Sequence, residues 1–389
     1  MTTGDEGVTP ARRRVVLTGI SSRTWEHPAD RGALTALREL RGFDDVVKAF
    51  FGMWNERAFR LSFLASAIRV DHRQYPGVYR LFAEAGGTLD VAELPELFVK
   101  QSPWLSGEAI GLDRPFIVVS SACVQQLDDD ELRCLLGHEL GHVGSGHAVY
   151  KTILMILTRW AANLSGLPVG AIALRAIIAA MLEWWRKAEL SGDRAGLLAG
   201  QDPAAALRLM MKFAGGGDLS QIDTAAFLEQ ATEYEGGGDL RDSLHKLRMT
   251  AWSTHPVPVA RAAALRQWIE SGAYAQVLGG DYPRREDDGL TSVSAEIKAA
   301  AESYREAFGR SQDPLVGLLR RLGDGASDVG EWVGGGAGRA RSWMGAAGEA
   351  ATRAAGRTRR TGRPDGPANG SSPRDGAGGG ADGSADTQP

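Results

Sequence analysis

Apolar residues recur at intervals of three and four over much of the chain, the spacing that lines one face of an α-helix. This spacing predicts helices between Ala33 and Val70, and an apolar helical hairpin over residues 151–186. Two shorter runs, Leu94–Gln101 and Arg114–Ser121, are typical of strands. A mainly helical chain with one small sheet indicates the α+β class.

The sequence "LDDDELRCLLGHELGH" predicts a further helix with a well-marked start. Asp128 is its N-cap, and Glu131, three residues later, completes a capping box. Leucines then follow at helical spacing, so His138 and His142 lie on one helix. Glycine costs helix stability, so a stripe of glycines on another side of the helix predicts that a neighbouring element approaches closely there: Gly137, Gly141 and Gly144.

This helix carries the pattern H-E-x-x-H. His138 and His142 are about 40° apart around the helix axis, so both imidazoles can bind one Zn²⁺. Glu139 is rotated away from the metal and can take a proton from a water held there, as a general base. With seven histidines in the chain, an accidental match has odds on the order of one in a hundred. The pattern therefore predicts one catalytic zinc per chain.

A catalytic zinc needs a third protein ligand and an open fourth position, whereas a structural zinc takes four protein ligands. Downstream, "RKAELSGDRAG" places Glu189 and Asp193 one helical turn apart. Glu189 could complete a His-His-Glu set, and Asp193 could accept the ring N–H of a ligand histidine and fix its tautomer. The alternative interpretation is an ordinary pair of exposed acids.

Composition and charge narrow the class of protein. A hydrophobic content of 43% is ample for a packed core, and a net charge of −4 does not indicate a nucleic-acid partner. The two cysteines, Cys123 and Cys134, form no disulfide framework. The N-terminal apolar run is too short for a secretory signal, so we expect a cytoplasmic protein and not a secreted one, with membrane association as an alternative.

The order of these motifs resembles that of the HtpX-like zinc peptidases, a family that includes the CAAX prenyl proteases. "GHELGHVGSGH" is followed by an apolar hairpin, by "AELSGDRAG" and by "STHPVPVARAAAL". The family belongs to the gluzincins, whose third zinc ligand is a glutamate. The resemblance covers roughly Ala33 to Tyr282. It implies a zincin-like metalloprotease domain, α+β and mainly α, with a small sheet and an edge strand beside the H-E-x-x-H helix.

Carried over by position, the resemblance implies roles for five residues. The zinc ligands would be His138, His142 and Glu189. Glu139 would be the general base, and Asp193 would orient a ligand histidine.

The resemblance also implies a substrate strand and a further histidine. An extended peptide would pair along an edge strand formed by Phe116, Ile117, Val118 and Val119, by β-augmentation. His255, in "THP", would donate to the developing oxyanion or act as a switchable extra ligand. A helix-capping role for His255 is an equal alternative.

The chain is expected to divide into three parts: an N-terminal leader over residues 1–32, the peptidase domain over 33–322 and a disordered tail over 323–389. The tail holds 18 of the 50 glycines. Because so many of its residues have no side chain, it has too little apolar surface to offset the entropy lost on ordering. Within it, Arg339–Arg363 contains seven arginines and one acid. This stretch is either a solvated linker or a contact for anionic lipid.

Other residues receive simpler interpretations. His147 is five residues past His142, off the ligand face, which indicates a surface or capping role. Trp184 and Trp185 are expected to be core or interface aromatics. The remaining histidines have no supporting context: His27, His72 and His245.

The sequence leads to a zinc-dependent metalloendopeptidase that acts on polypeptides. One alternative is a membrane-associated quality-control protease with residues 153–185 embedded. The arms of this hairpin are short for a bilayer and contain arginines, which favours a helical wall packed on the protein. A second alternative is a non-catalytic metalloprotein scaffold.

Overall fold

A computed structural model describes residues 13–38, 47, 55–163, 170–236 and 257–288, and all structural statements refer to these ranges. Its helices are α1 (Pro28–Arg38), α2 (Glu56–Ser66), α3 (Pro76–Thr88), α4 (Ser121–Gln126), α5 (Asp129–Gly144), α6 (His147–Asn163), α7 (Gly170–Gly200), α8 (Pro203–Gly215), α9 (Thr224–Gly236), α10 (Pro258–Glu270) and α11 (Ala273–Leu278). Its strands are β1 (Ile68–Arg69), β2 (Leu97–Lys100), β3 (Gly107–Ile110) and β4 (Phe116–Ser120). Short 3₁₀ helices span Ser22–Thr24 and Arg285–Asp287.

The four strands form one mixed sheet in the order β1-β2-β4-β3. β2 and β4 are parallel, and the other pairs are antiparallel. The predicted fold class, α+β and mainly helical with a small sheet, is therefore confirmed.

The prediction that Phe116, Ile117, Val118 and Val119 form an edge strand is wrong. These residues form β4, which is paired with β2 on one side and with β3 on the other. All five residues of β4 are buried, as expected for an interior strand. The strand at the edge beside the H-E-x-x-H helix is β3, so an added peptide strand could pair only there on this side of the sheet.

The H-E-x-x-H helix, α5, begins as the sequence predicts. Asp128 Oδ1 accepts hydrogen bonds from the backbone N–H groups of Asp130 and Glu131, at 3.0 and 2.8 Å. In return Glu131 Oε2 accepts from the N–H of Asp128 at 2.9 Å. The capping box fixes the helix start, and from Glu131 to His142 every residue of α5 is buried.

The glycine stripe of α5 lets the long helix α7 pack directly against its backbone. A Cβ placed on Gly137 would lie 2.2 Å from Cβ of Ala199, and one on Gly141 would lie 2.3 Å from Cβ of Ala195. Both contacts are too short for real atoms, so the predicted close approach is confirmed. The two helices that carry the candidate metal ligands are thereby held at a fixed separation.

The N-terminal segment belongs to the core. Leu17, Ile20 and Trp25 are each at most 5% exposed and lie in the main hydrophobic cluster. Ile20 also forms a bridge with Arg284, near the end of the described chain. The predicted start of the domain at residue 33 is therefore wrong, because residues of the predicted leader from 17 onward supply core side chains. The predicted tail over 323–389 lies outside the described residues.

A second hydrophobic cluster joins α1 to the apolar hairpin formed by α6 and α7. Its fully buried members include Ile153, Met181, Trp184 and Trp185. Both tryptophans are at most 1% exposed, which confirms their prediction as core residues. No helix within the described ranges offers an apolar stretch of bilayer-spanning length.

Candidate metal centre

The crossing of α5 and α7 brings three predicted ligands together. His138 and His142 project from one face of α5, with their Nε2 atoms 3.0 Å apart. Glu189 projects from α7, its Oε2 3.7 Å from Nε2 of His138 and its Oε1 3.6 Å from Nε2 of His142. One ligand atom from each residue falls within 4.8 Å of the others. The three side chains are buried and could hold a metal ion.

The donor set and spacing fit zinc. Two imidazole nitrogens on tetrahedral zinc lie about 3.3 Å apart, given Zn–N bonds of about 2.0–2.1 Å. The two Nε2 atoms are within a few tenths of an ångström of that separation. Burial lowers the pKa of His142 to about 3, so its ring stays neutral and can present a lone pair.

Glu139 lies beside this set, with one oxygen unused. Its Oε1 is 4.0 Å from Nε2 of His138. Its Oε2 is buried and has no hydrogen-bond partner among the described residues. Burial raises the pKa of the Glu139 carboxyl, and the charge of Glu189 adds to the rise, although Lys151 and His138 oppose it. A buried carboxylate oxygen without a donor is poised to accept a proton from a bound water.

The sheet makes room for Glu139 through one glycine. A Cβ on Gly107, the first residue of β3, would lie 2.5 Å from Oε1 of Glu139. The edge strand therefore passes directly over the carboxylate, and only glycine permits this approach.

Asp193 occupies the position predicted for it. Its Oδ1 lies 3.1 Å from Nδ1 of His138, one turn along α7 from Glu189. Burial opposes a charge on the His138 ring, but the bond to Asp193 and the charge of Glu189 hold its pKa above the ordinary value. The carboxylate can fix the tautomer of His138 so that Nε2 faces the other ligands.

Arg261, on α10, was not identified from the sequence. Its Nε donates to Oδ2 of Asp193 at 2.8 Å, and one terminal nitrogen lies 2.9 Å from Oε2 of Glu189. The side chain is 5% exposed. The only sequence signal is its place six residues after His255 in "THPVPVAR". His255 itself lies outside the described residues, as does His245.

The prediction that His147 lies at the surface or caps a helix is wrong. It is 2% exposed. Its Nδ1 lies 3.0 Å from Nδ1 of His142, and its Nε2 lies 3.1 Å from Oδ2 of Asp30. Asp30, which was not identified from the sequence, is 1% exposed. The site therefore extends beyond the predicted residues on the His142 side.

A cleft of about 380 Å³ opens onto these groups. His138, Glu139 and Glu189 lie at its base, and one wall is formed by Leu105 and Ser106 together with Gly107, the first residue of β3. Its other walls are largely apolar side chains of α8 and α10 and the residue before α10: Leu209, Met210, Phe213, Val257 and Leu265. The cleft can accept an extended chain with apolar side chains.

Comparisons with known proteins agree with this arrangement. The model of peptidase family M48 matches residues 100–269 of the chain. A plastoglobule-localized chloroplast metallopeptidase 48 of Arabidopsis thaliana is 33% identical over 260 residues, which cover 65% of this chain and 74% of that protein. Together with the buried His-His-Glu group, these matches define the protein as a metallopeptidase.

The chain belongs to peptidase family M48. Shorter matches point the same way. Protease HtpX of Xanthomonas axonopodis is 35% identical over 63 residues, 16% of this chain and 22% of that protein. An HtpX homolog of Bacillus velezensis is 35% identical over 79 residues, 20% of this chain and 25% of that protein. No solved structure was found to match the chain.

Proposed function

We propose that this metallopeptidase is a zinc-dependent endopeptidase in which Glu139 is the general base. The observation that carries the proposal is the placing of a buried, unpartnered Glu139 Oε2 beside three converging ligand atoms, those of His138, His142 and Glu189. A purely structural metal site would have no use for an unsatisfied carboxylate oxygen at this depth, since such an atom costs about 1–3 kcal/mol.

His138, His142 and Glu189 would hold the zinc ion, and Asp193 would orient the His138 ring. When bound, zinc supplies Lewis acidity, which polarises the scissile carbonyl and makes a water more acidic. Glu139 then accepts the proton of the attacking water at Oε2 and delivers it to the leaving amine nitrogen. Its raised pKa brings the carboxyl closer to the pH at which it must both accept and release a proton.

The substrate would be a polypeptide in extended form. β3 contributes Gly107 directly above Glu139, and it is paired with β4 on one side. A peptide laid along β3 would present its backbone carbonyl to the base of the cleft. Its side chains would lie against the apolar walls formed by α8 and α10. This mode of binding reads backbone more than sequence.

The test is the substitution Glu139→Gln. It keeps the size of the side chain and all three ligands, so zinc content by metal analysis should stay at one per chain. The amide cannot take the proton, and cleavage of an unstructured protein should fall by about 10²–10⁴. Glu229→Gln, on the exposed side of α9, is the matched control and should cleave at the wild-type rate.

Two results would contradict this assignment. Loss of zinc in Glu139→Gln would make the carboxylate a ligand or the support of one. Cleavage by Glu139→Gln at the wild-type rate would place catalysis elsewhere. So would an unchanged rate of cleavage by the wild-type protein after a chelator has removed all of its metal.

The hairpin formed by α6 and α7 is proposed to be a wall of the domain. Ile153, Leu154, Leu157 and Met181 are at most 3% exposed and pack into the second hydrophobic cluster. We expect purified protein to remain in solution without detergent. Recovery from the membrane fraction alone would favour the membrane-associated alternative.

A further inference from the structure

A chain of buried polar groups leads away from His142 on the side opposite the proposed metal site. Nδ1 of His142 lies 3.0 Å from Nδ1 of His147. Nε2 of His147 lies 3.1 Å from Oδ2 of Asp30. The three side chains are each at most 2% exposed. They come from three different helices, α5, α6 and α1, so this contact exists only in the folded domain.

The surroundings of Asp30 make it an acceptor at both oxygens. The indole Nε1–H of Trp184, which can only donate, donates to Oδ1 at 2.9 Å. The hydroxyl of Ser191 donates to Oδ2 at 2.6 Å. Ser191 has its proton free for this bond because its oxygen accepts from the backbone N–H of His27 at 2.8 Å. Asp30 therefore presents a carboxylate oxygen to His147.

This arrangement determines which nitrogens carry protons. Since Oδ2 of Asp30 accepts, Nε2 of His147 carries a proton. The 3.0 Å contact between Nδ1 of His147 and Nδ1 of His142 holds one proton, and His142 must carry it if its Nε2 is to present a lone pair to a metal. Nδ1 of His147 then accepts. The lone pair of His142 is then on Nε2, which faces His138 and Glu189. Each donor meets one acceptor along the whole chain of contacts.

We propose that Asp30 and His147 are positioning residues that set the tautomer and hold the ring of His142 for metal binding. The inference rests on the proposed zinc site. Partners of this kind typically change metal affinity by about 10–100-fold when removed. Asp193 does the same for His138 through one carboxylate. His142 differs in that a second histidine relays the effect of a carboxylate from the N-terminal segment.

The substitution Asp30→Asn tests the direction of the relay. Trp184 can only donate, so the amide oxygen must stay opposite the indole and the NH₂ group must face His147. His147 then accepts at Nε2, carries its proton on Nδ1 and meets a second donor at His142. To relieve this clash, the proton of His142 moves to Nε2, the nitrogen required by the metal. We expect zinc affinity, measured by competition with a chelator, to fall by about 10–100-fold.

A spectroscopic measurement separates this role from simple support of the fold. In metal-free protein, long-range ¹H–¹⁵N correlation of the histidine rings should show the wild type with protons on Nδ1 of His142 and Nε2 of His147. In metal-free Asp30→Asn both should be reversed. The wild-type spectrum tests the proposal even if the variant does not fold. A proton on Nε2 of His142 in the wild-type protein, or protons on both nitrogens of His147, would overturn it.

The double variant Asp30→Asn with Trp184→Phe provides a rescue. Without the indole donor the amide can turn its oxygen to His147, so part of the lost zinc affinity should return. Trp184→Phe alone should bind zinc within a few-fold of wild type. Asp202→Asn is the control for replacing a carboxylate with an amide. The amide oxygen can still accept from the backbone N–H groups at the start of α8. The zinc affinity of this variant should equal that of the wild type.

The outcomes also distinguish this proposal from the proposed function. Wild-type protein that binds no zinc would refute the zinc site itself. Wild-type protein that binds zinc, with Asp30→Asn equal to it in affinity and in ring tautomers, would refute the relay alone. Lower affinity in Asp30→Asn with unchanged tautomers and no rescue would also refute the relay, because Asp30 would then act only through packing.

Discussion

At the scale of single residues, Arg261 balances the charge of the site. It lies between two buried carboxylates, Asp193 and Glu189, and contacts both. Burial works against its charge, but the two carboxylates raise the pKa of its guanidinium above the ordinary value. The proposed zinc site therefore already contains one cation. This cation lowers the net negative charge of the site and so keeps the carboxylates ionised at little cost.

We expect Arg261→Gln to destabilise the metal-free protein by about 3–5 kcal/mol, because two buried carboxylates lose their partner. Urea unfolding measures this loss. Zinc bound at Glu189 supplies positive charge in its place, so zinc should stabilise the variant by more than it stabilises the wild type. Equal stabilisation of both proteins by zinc would mean that Arg261 does not compensate these carboxylates.

The two cysteines are predicted to be inert. Both are buried and unpaired by disulfide. Burial raises the pKa of Cys134 to about 12 and also raises the pKa of Cys123. Because the thiolate is the reactive form, neither should react with a thiol reagent in the native protein. Both should react at ordinary rates in urea, as followed by mass spectrometry. Rapid modification of native protein would contradict the burial of these side chains.

The sequence predicted the part of the site that depends on local spacing. His138, His142, Glu189 and Asp193 each lie one helical turn from a partner, and the structure brings all four together. Asp30, His147 and Arg261 were missed or misplaced. Their partners come from other segments, up to 161 positions away, and no periodicity in a single sequence reports such contacts.

At the scale of elements, the crossing of α5 and α7 is the feature on which the site depends. Alanine is a better helix former than glycine by about 1 kcal/mol, so Gly→Ala usually stabilises a helix. At Gly141 the added methyl would meet Ala195 at 2.3 Å. The helices would have to separate, and the ligands with them.

We therefore expect Gly141→Ala to destabilise the protein by about 1–3 kcal/mol and to weaken zinc binding. Gly87→Ala, on exposed α3 surface with nothing within 4 Å of the added methyl, is the matched control. It should be neutral or stabilise by up to about 1 kcal/mol. Denaturant unfolding of the two variants measures the difference. Equal changes in the free energy of unfolding in the two variants would show that the close approach of α7 to Gly141 does not contribute to stability.

The sheet shows what an apolar run predicts and what it leaves open. The run that begins at Phe116 correctly predicted a strand, but the resemblance placed it at an edge. All five residues of β4 are buried, which is the mark of a strand covered on both faces and paired on both sides. β3 contains only "GEAI" and no strong strand former except Ile110. Its role depends on Gly107 passing over Glu139, which only the packed structure reveals.

At the scale of the whole molecule, the N-terminal segment is joined to α7 by polar as well as apolar contacts. His27 caps α1, its Nδ1 accepting from the N–H of Ala29 at 3.1 Å. Burial, with a contribution from Arg194, lowers the pKa of His27 to about 4. The neutral form is required because a protonated Nδ1 could not accept this bond.

This shift makes stability depend on pH. The folded-state pKa of about 4 lies below the ordinary value of 6.5. Between these values the unfolded chain binds the proton and the folded chain does not. The contribution of neutral His27 to the free energy of unfolding is therefore complete above pH 6.5 and falls as the pH is lowered toward 4. The loss should be about 1–3 kcal/mol, after allowance for partial exposure of the ring.

His27→Asn keeps an acceptor at the helix start but cannot titrate, so this part of the pH dependence should disappear. Urea unfolding of both proteins at pH 7.5 and pH 5 is the measurement. His72→Asn, in an exposed turn, is the control and should leave the pH dependence of the wild type unchanged. If His27→Asn loses as much stability on acidification as the wild type, another group is responsible.

The bridge between Ile20 and Arg284 has a consequence for how the protein is made. Backbone bonds from Ser21 to Pro283 and from Arg285 to Gly19, at 3.0 and 2.8 Å, extend this junction. During translation the segment around Ile20 is synthesised early, and the segment around Arg284 is synthesised more than 260 residues later. At about 5–20 residues per second, the interval is on the order of ten to fifty seconds. We expect the nascent chain to remain inactive as a protease throughout that interval. It should become active only when the segment around Ile20 has paired with the segment around Arg284.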